Sequence, residues 1–169
     1  KMTVNYTFIR ERLNYDPEMG AFTWRTHPNK DRVGAIAGWV HSQGYIAIDL
    51  EDTSYFAHRL AWLWMAGEWP AAMIDHIDGD KPNNAWSNLR EATRSQNLQN
   101  KAVTRVNECR LKGVFPQSGR KEYGRTGKFR AQINVDGKRI SLGSFSTAEE
   151  AHEAYKRAAI QHHGQFAKW

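Results

Sequence analysis

Between residues 128 and 135 the chain alternates without a break. Phe129, Ala131, Ile133 and Val135 fall on one side of an extended strand, and Lys128, Arg130, Gln132 and Asn134 on the other. Asp136-Gly137 follows, a pair whose tolerance of positive φ makes it the strongest short hairpin signal. The return run, 138–145, places Ile140 and Leu142 inward and Arg139 and Ser141 outward. Ser146-Thr147-Ala148-Glu149 has the form of a capping box, so a helix is expected to open there and to stop before Gly164. Its stripe of Ala148, Ala151, Ala154, Tyr155, Ala158 and Ala159 suits a helix lying close on a small sheet.

The first part of the chain is patterned differently. Apolar residues at 6, 8, 9 and 13 predict a short amphipathic helix, and Asp16-Pro17-Glu18-Met19-Gly20 predicts a turn, Pro setting φ and Gly accepting φ > 0. Short strands are expected over 21–24, 35–40 and 44–50. Residues 54–69 begin as a strand and become a buried helix over 57–66, ended by Gly67 and Pro70, with Trp62, Trp64 and Trp69 in the core. Residues 73–77 form a further strand, 79–84 a polar loop, and 89–92 its partner. Thr93-Arg94-Ser95-Gln96 is a capping box that places Asn97 in the first turns of a helix. Residues 101–110 are polar and aperiodic and read as a linker. The expected class is α+β: a strand–strand–helix unit on an N-terminal scaffold over 1–105, with its core at 73–101. A three-stranded antiparallel sheet on one helix follows over 110–169.

Composition changes this picture in two respects. Residues 1–100 carry 10 Lys/Arg against 12 Asp/Glu, net −2, whereas 101–169 carry 14 against 6, net +8; together they give the chain its +6. A near-neutral half joined to a basic half points to a C-terminal part that grips a polyanion. A single cysteine, Cys109, excludes an internal disulfide and a cysteine-rich zinc site. No apolar run reaches the roughly 18 residues that span a membrane, and no signal peptide opens the chain, so the expectation is an intracellular protein without a membrane partner.

The chemistry is concentrated between Asp75 and Asn97. A carboxylate, Asp75, precedes His76; Asn88 follows twelve residues later and Asn97 nine after that. His76, with a reference pKa of about 6.5, is suited to be a general base near neutral pH. Asp75 offers an anionic oxygen and Asn97 a neutral carbonyl oxygen, hard donors that Mg²⁺ accepts. Asp78 and Asp80 are read as turn formers or as further ligands. An EF-hand is excluded by spacing and by the missing closing glutamate. His162-His163 read as a helix cap, and His58 and Arg59 as packing or DNA-contacting residues.

This segment, with its Asp-Gly and Asn-Leu-Arg framing pairs, resembles the HNH, or ββα-metal, nuclease motif in the variant where asparagine replaces the last histidine. The His58-Arg59-Leu60 run is similar to the N-terminal part of phage-type HNH proteins. The resemblance implies a DNA endonuclease in which His76 activates water, Asp75 and Asn97 hold Mg²⁺ (Mn²⁺ substituting), and Asn88 pins the loop and orients His76. It also implies 3′-hydroxyl and 5′-phosphate ends. Because adjacent strand residues point to opposite faces, it further implies a twist or bulge that brings Asp75 and His76 to one site.

Lys112-Gly113-Val114, the 128–133 strand, Leu142-Gly143-Ser144-Phe145, Glu149-Glu150-Ala151, Ala154-Tyr155 and Gly164 resemble the APETALA2-type DNA-binding domain over about residues 110–167. Phe129 stands where many members have tryptophan, and Ser141 where plant members have a base-contacting tryptophan. A small sheet fits the major groove, so Arg130, Gln132, Asn134, Arg139 and Ser141 are expected at base edges. Lys112, Lys128, Lys138, Arg120, Lys121 and Arg125 are expected at phosphates. The resulting expectation is a monomeric, site-specific homing-type endonuclease on double-stranded DNA, with no protein partner evident. The alternative is a non-cleaving, sequence-specific regulator with a degenerate nuclease half. An RNA-binding role ranks below both, since the sheet face lacks the exposed aromatics that stack single-stranded bases.

Overall fold

The computed structural model describes residues 4–100, 109–118 and 125–169. Two compact units divide the chain, Lys1–Ala92 and Thr93–Trp169. The class is α+β, built from small antiparallel sheets and short helices.

In the first unit, α1 (Tyr6–Arg12) is capped by Asn5, whose side chain accepts from the Phe8 amide at 2.9 Å. It runs into a hairpin of β1 (Leu13–Asp16) and β2 (Ala21–Trp24). The intervening turn is held by Asp16, whose Oδ1 accepts from the amides of Glu18 and Met19. Next come β3 (Trp39–Val40), β4 (Ile46–Leu50) and β5 (Thr53–Phe56), paired in the order β3-β4-β5. The strand expected over 35–40 is reduced to its last two residues. Gly34 and Gly38 take φ of +84° and +115°, which interrupts extended backbone, and Ile36 keeps only an isolated bridge to Thr23. Helix α2 (Ala57–Ala66) ends on left-handed Gly67, as the sequence suggests. Ile9, Leu13, Phe22, Ile48, Leu60 and Leu63 form the buried centre of this unit, and Trp62, Trp64, Trp69 and Trp86 pack on it half-buried. The antiparallel pair β6 (Met73–His76) and β7 (Leu89–Ala92) completes it.

The second unit opens with α3 (Arg94–Asn100), and its capping box is formed. The Gln96 amide donates to Thr93 Oγ1 and the Thr93 amide to Gln96 Oε1, at 3.3 and 2.8 Å. β8 (Val114–Ser118), β9 (Arg125–Val135) and β10 (Lys138–Phe145) make an antiparallel sheet in the order β10-β9-β8, crossed by α4 (Ala148–His163). Ala131 and Ile133 of β9 turn inward and are buried with Val114 of β8 and with Ala151, Tyr155, Ala158 and Ala159 of α4. Gly113 is required at its position. Its φ is +75°, and a Cβ there would lie 2.0 Å from the ring of Tyr155.

Two local expectations shift. The N-cap of α4 is Thr147 with Glu150, one residue later than Ser146 with Glu149, and both reciprocal bonds are present. In β10 the register slips between Ser141 and Gly143, so Leu142 is the extra residue of a bulge.

Candidate active site

Asp75 and His76 are the last two residues of β6, and both are buried. Asp75 lies directly opposite Arg90 in the β6–β7 register, and Arg90 donates to its Oδ2 from Nε at 2.9 Å, with Nη2 in ion-pair contact with the same oxygen at 2.8 Å. One charge-assisted bond, with the rest of the guanidinium in ion-pair contact, orients the carboxylate as well as compensating its charge. The pairing continues unbroken from Met73–Ala92 to His76–Leu89. Of the expected twist or bulge, the bulge is therefore absent from this register: the two residues occupy successive positions of β6, each with its own surroundings.

His76 is held on three sides. Its Nε2 lies 3.1 Å from Asn84 Oδ1. The ring of His58, from the first turn of α2, meets it nearly edge-on at 5.2 Å, and the ring of Tyr45, just before β4, lies 5.9 Å away. Burial first, then the neighbouring His76 and Arg59, push His58 down to about 3, so His58 is neutral at physiological pH. Its Nδ1 is buried without a hydrogen-bond partner among the described residues. Lys81 places Nζ 4.7 Å from the Tyr45 ring centre and donates to the Gln43 carbonyl, which fixes the outer side of that ring.

Asn88 ties down the loop between the strands. Its Oδ1 accepts from the Asp78 amide at 3.0 Å, and its Nδ2 donates to Asp78 Oδ1 and to the Asn83 carbonyl at 2.9 and 2.8 Å. Burial alone would raise the Asp78 carboxyl. Hydrogen bonds from the Asp80 amide, Asn88 and Asn83, with the nearby His76, outweigh it and hold the carboxyl below its ordinary value. Asp78 and Asp80 are thus turn chemistry: the Asp80 amide donates to Asp78 Oδ1 at 2.7 Å.

Asp75, His76 and Asn88 are brought together on one two-stranded element and its loop. Asn97 belongs to the second unit, in the first turn of α3, its amide bonded to the Thr93 carbonyl at 3.0 Å. Among the described residues no three His, Cys, Asp or Glu side chains are grouped for a metal. A cation at Asp75 would complete its shell from amide oxygens, phosphate and water, a donor set that suits Mg²⁺.

On the sheet of the second unit, Lys128, Arg130, Asn134, Arg139 and Ser141 are exposed and Gln132 is half-buried. Arg139 faces Asn134, Ser141 faces Gln132, and Phe115 and Ser144 flank Arg130, so these side chains share the face away from α4. Lys138 is the cross-strand partner of Val135 and so leaves from the other face. Lys112 is placed differently from the other basic residues: it donates to the carbonyls of Gln99 and Lys168, both at 2.8 Å. Burial, then Lys168, pull its ammonium down to about 8. Arg120 and Lys121 lie outside the described residues.

Sequence reasoning missed Asn84, Arg90 and Phe115. Asn84 had one signal, the Asn83-Asn84 pair in a short polar loop; Arg90 and Phe115 are identified by strand register, which the sequence does not fix.

The family model described as HNH endonuclease matches residues 55–99. Protein 3.8 of Escherichia phage T7 is 31% identical over 110 residues, 63% of this chain and 85% of that protein. An uncharacterised HNH endonuclease of Acanthamoeba polyphaga mimivirus, L560, is 34% identical over 112 residues; the match spans 65% of this chain and 54% of that protein. A solved structure describing DNA binding and cleavage by the HNH homing endonuclease I-HmuI aligns over 96% of this chain and 91% of that chain, with a TM-score of 0.46 and 17% identity.

Proposed function

From the premise that residues 55–99 form an HNH endonuclease domain, we propose that this chain is a site-specific, metal-dependent endonuclease of the homing type. It would hydrolyse phosphodiester bonds of double-stranded DNA as a monomer. The observation that carries the reading is the environment of His76. Its ring is buried and hydrogen-bonded, while the adjacent ionisable ring, His58, stays neutral and adds no competing charge. A neutral imidazole in that setting can take a proton from an attacking water.

Asp75 and Asn97 would hold the cation, Mg²⁺ or Mn²⁺, which when bound neutralises charge developing on the phosphate and the leaving oxygen. Arg90 keeps the Asp75 carboxylate oriented, and Asn88 keeps the 78–83 loop folded back on the strands. The second unit would be the reader. Its exposed face offers Arg for guanine and Gln and Asn for adenine, with Lys128 available to phosphate. What supports that assignment is the exposed polar and basic face itself; an APETALA2-type identity for this unit is part of the proposal.

The test uses supercoiled circular DNA carrying a randomised insert, at low salt, so that a recognised site is represented. Nicked or linear product with Mg²⁺, none with EDTA, and recovery on adding Mg²⁺ back is expected. Tight binding without cutting under Mg²⁺ or Mn²⁺ would replace the nuclease with a DNA-binding regulator.

A further inference from the structure

Asn84 sits eight residues beyond His76 in the loop joining β6 to β7, yet only 2% of it is exposed. Both ends of its amide are committed. Nδ2 donates to the Pro82 carbonyl at 3.0 Å, so the amide cannot be reversed without losing that bond, and Oδ1 faces His76 Nε2 at 3.1 Å. An amide oxygen only accepts. The imidazole nitrogen that meets it must therefore carry the proton, and in a neutral ring the lone pair is then on Nδ1.

The backbone of Asn84 is clamped by the N-terminal hairpin. Tyr15 Oη donates to the Asn84 carbonyl at 2.8 Å, and the Trp86 amide donates to the Pro17 carbonyl at 2.8 Å. Gly20 approaches so closely that a Cβ on it would lie 2.2 Å from the Asn84 carbonyl carbon. Burial, then Asp16, push the Tyr15 phenol above its ordinary value, so it remains a donor. The hairpin thus has a use beyond filling the core: it presents Asn84 to the ring.

Resting on the nuclease reading above, we infer that Asn84 is a positioning residue. By accepting from Nε2–H it holds His76 in the tautomer whose Nδ1 receives the proton of the attacking water. The water oxygen forms the new P–O bond, its proton goes to Nδ1, and the P–O3′ bond breaks with its electron pair on O3′, which is then protonated by solvent. The imidazolium so formed still donates from Nε2 to Asn84, and that bond strengthens as the ring becomes charged. Among the described residues, ionisable groups beside the ring include His58 from α2, Tyr45 ahead of β4 with Lys81 against it, and Asp78 in the loop.

The test is long-range ¹H–¹⁵N NMR of the full chain, with the His76 signals assigned by their loss in His76→Ala. Single-turnover cleavage and DNA Kd are measured alongside. Wild type is expected to show a pyrrole-type Nε2 and a pyridine-type Nδ1. Asn84→Ala is expected to mix the tautomers and slow cleavage about 10- to 100-fold, as loss of an orienting partner does, with Kd unchanged. Asn84→Asp keeps the acceptor, so it should restore the wild-type signature and cut faster than the alanine variant. An Nδ1–H ring in an actively cutting wild type overturns the inference alone. So does Asn84→Ala with unchanged signature and rate. A wild type that has the expected tautomer but never cuts overturns instead the nuclease reading on which the inference rests.

Discussion

Arg90 stands directly across from Asp75 in the β6–β7 ladder, donates to Oδ2 of its carboxylate from Nε and holds Nη2 in ion-pair contact with the same oxygen. Both side chains are largely buried, the arginine 12% and the aspartate 4% exposed, so neither charge has bulk water to turn to. Arg90→Ala leaves a buried carboxylate without that partner and is expected to cost about 3–5 kcal/mol in denaturant unfolding. Arg90→Lys keeps the charge but not the fork, and should fall between the alanine variant and wild type.

Gly20 carries a second structural prediction. Its φ of +69° and the 2.2 Å approach to the 84–85 peptide leave no place for a methyl group. Gly20→Ala is expected to destabilise the first unit by about 2–4 kcal/mol, from left-handed strain plus overpacking. Thermal unfolding of the two proteins side by side checks this; an unchanged Tm would show that the hairpin does not grip the loop.

His58 makes stability depend on pH. Its folded value, about 3, lies below the unfolded reference of 6.5, so between those limits the unfolded chain binds the extra proton. The contribution is whole above pH 6.5 and is lost as the pH falls toward 3. Lowering the pH from 7.5 to 5 should cost wild type about 2 kcal/mol through this group. His58→Phe, which cannot titrate, should show a correspondingly smaller loss when chemical denaturation is compared at the two pH values.

Lysines of the second unit divide by role. Lys128→Ala should weaken DNA binding across all sequences and reduce the slope of log K against log salt by about one, as expected for a phosphate contact. Lys112→Met should leave that slope unchanged, because its ammonium is committed to the Gln99 and Lys168 carbonyls. It should instead destabilise the unit by about 1–3 kcal/mol, the cost of leaving acceptors without their donor. Binding titrations at several salt concentrations, paired with unfolding curves, separate the two behaviours.

How far the sequence reaches depends on the range of the interaction. The faces of β9 were legible because alternation is a property of the strand alone. The α4 cap was legible only to within a residue. Ser146 and Thr147 can each cap, Glu149 and Glu150 can each answer, and the choice falls to the register that buries Ala151, Tyr155 and Ala159. At the candidate site, Asp75, His76 and Asn88 stood out by spacing within one short segment. Asn84, Arg90 and Tyr45 did not, since what brings them to Asp75 and His76 is a loop folding back, a strand register and a neighbouring sheet. Of the twist or bulge that the family resemblance implied between Asp75 and His76, the unbroken ladder leaves no bulge. The site is served instead by different partners on successive positions.

The central claim, that His76 does chemistry rather than hold DNA, is tested most directly by comparing wild type with His76→Ala on one mapped site. Mg²⁺-dependent cleavage is followed under single turnover while DNA binding is measured on the same preparations. The account predicts that binding is unchanged and that cleavage slows at least about 100-fold, the lower end of what a general base contributes. A His76→Ala protein that binds and cuts as wild type does would contradict it.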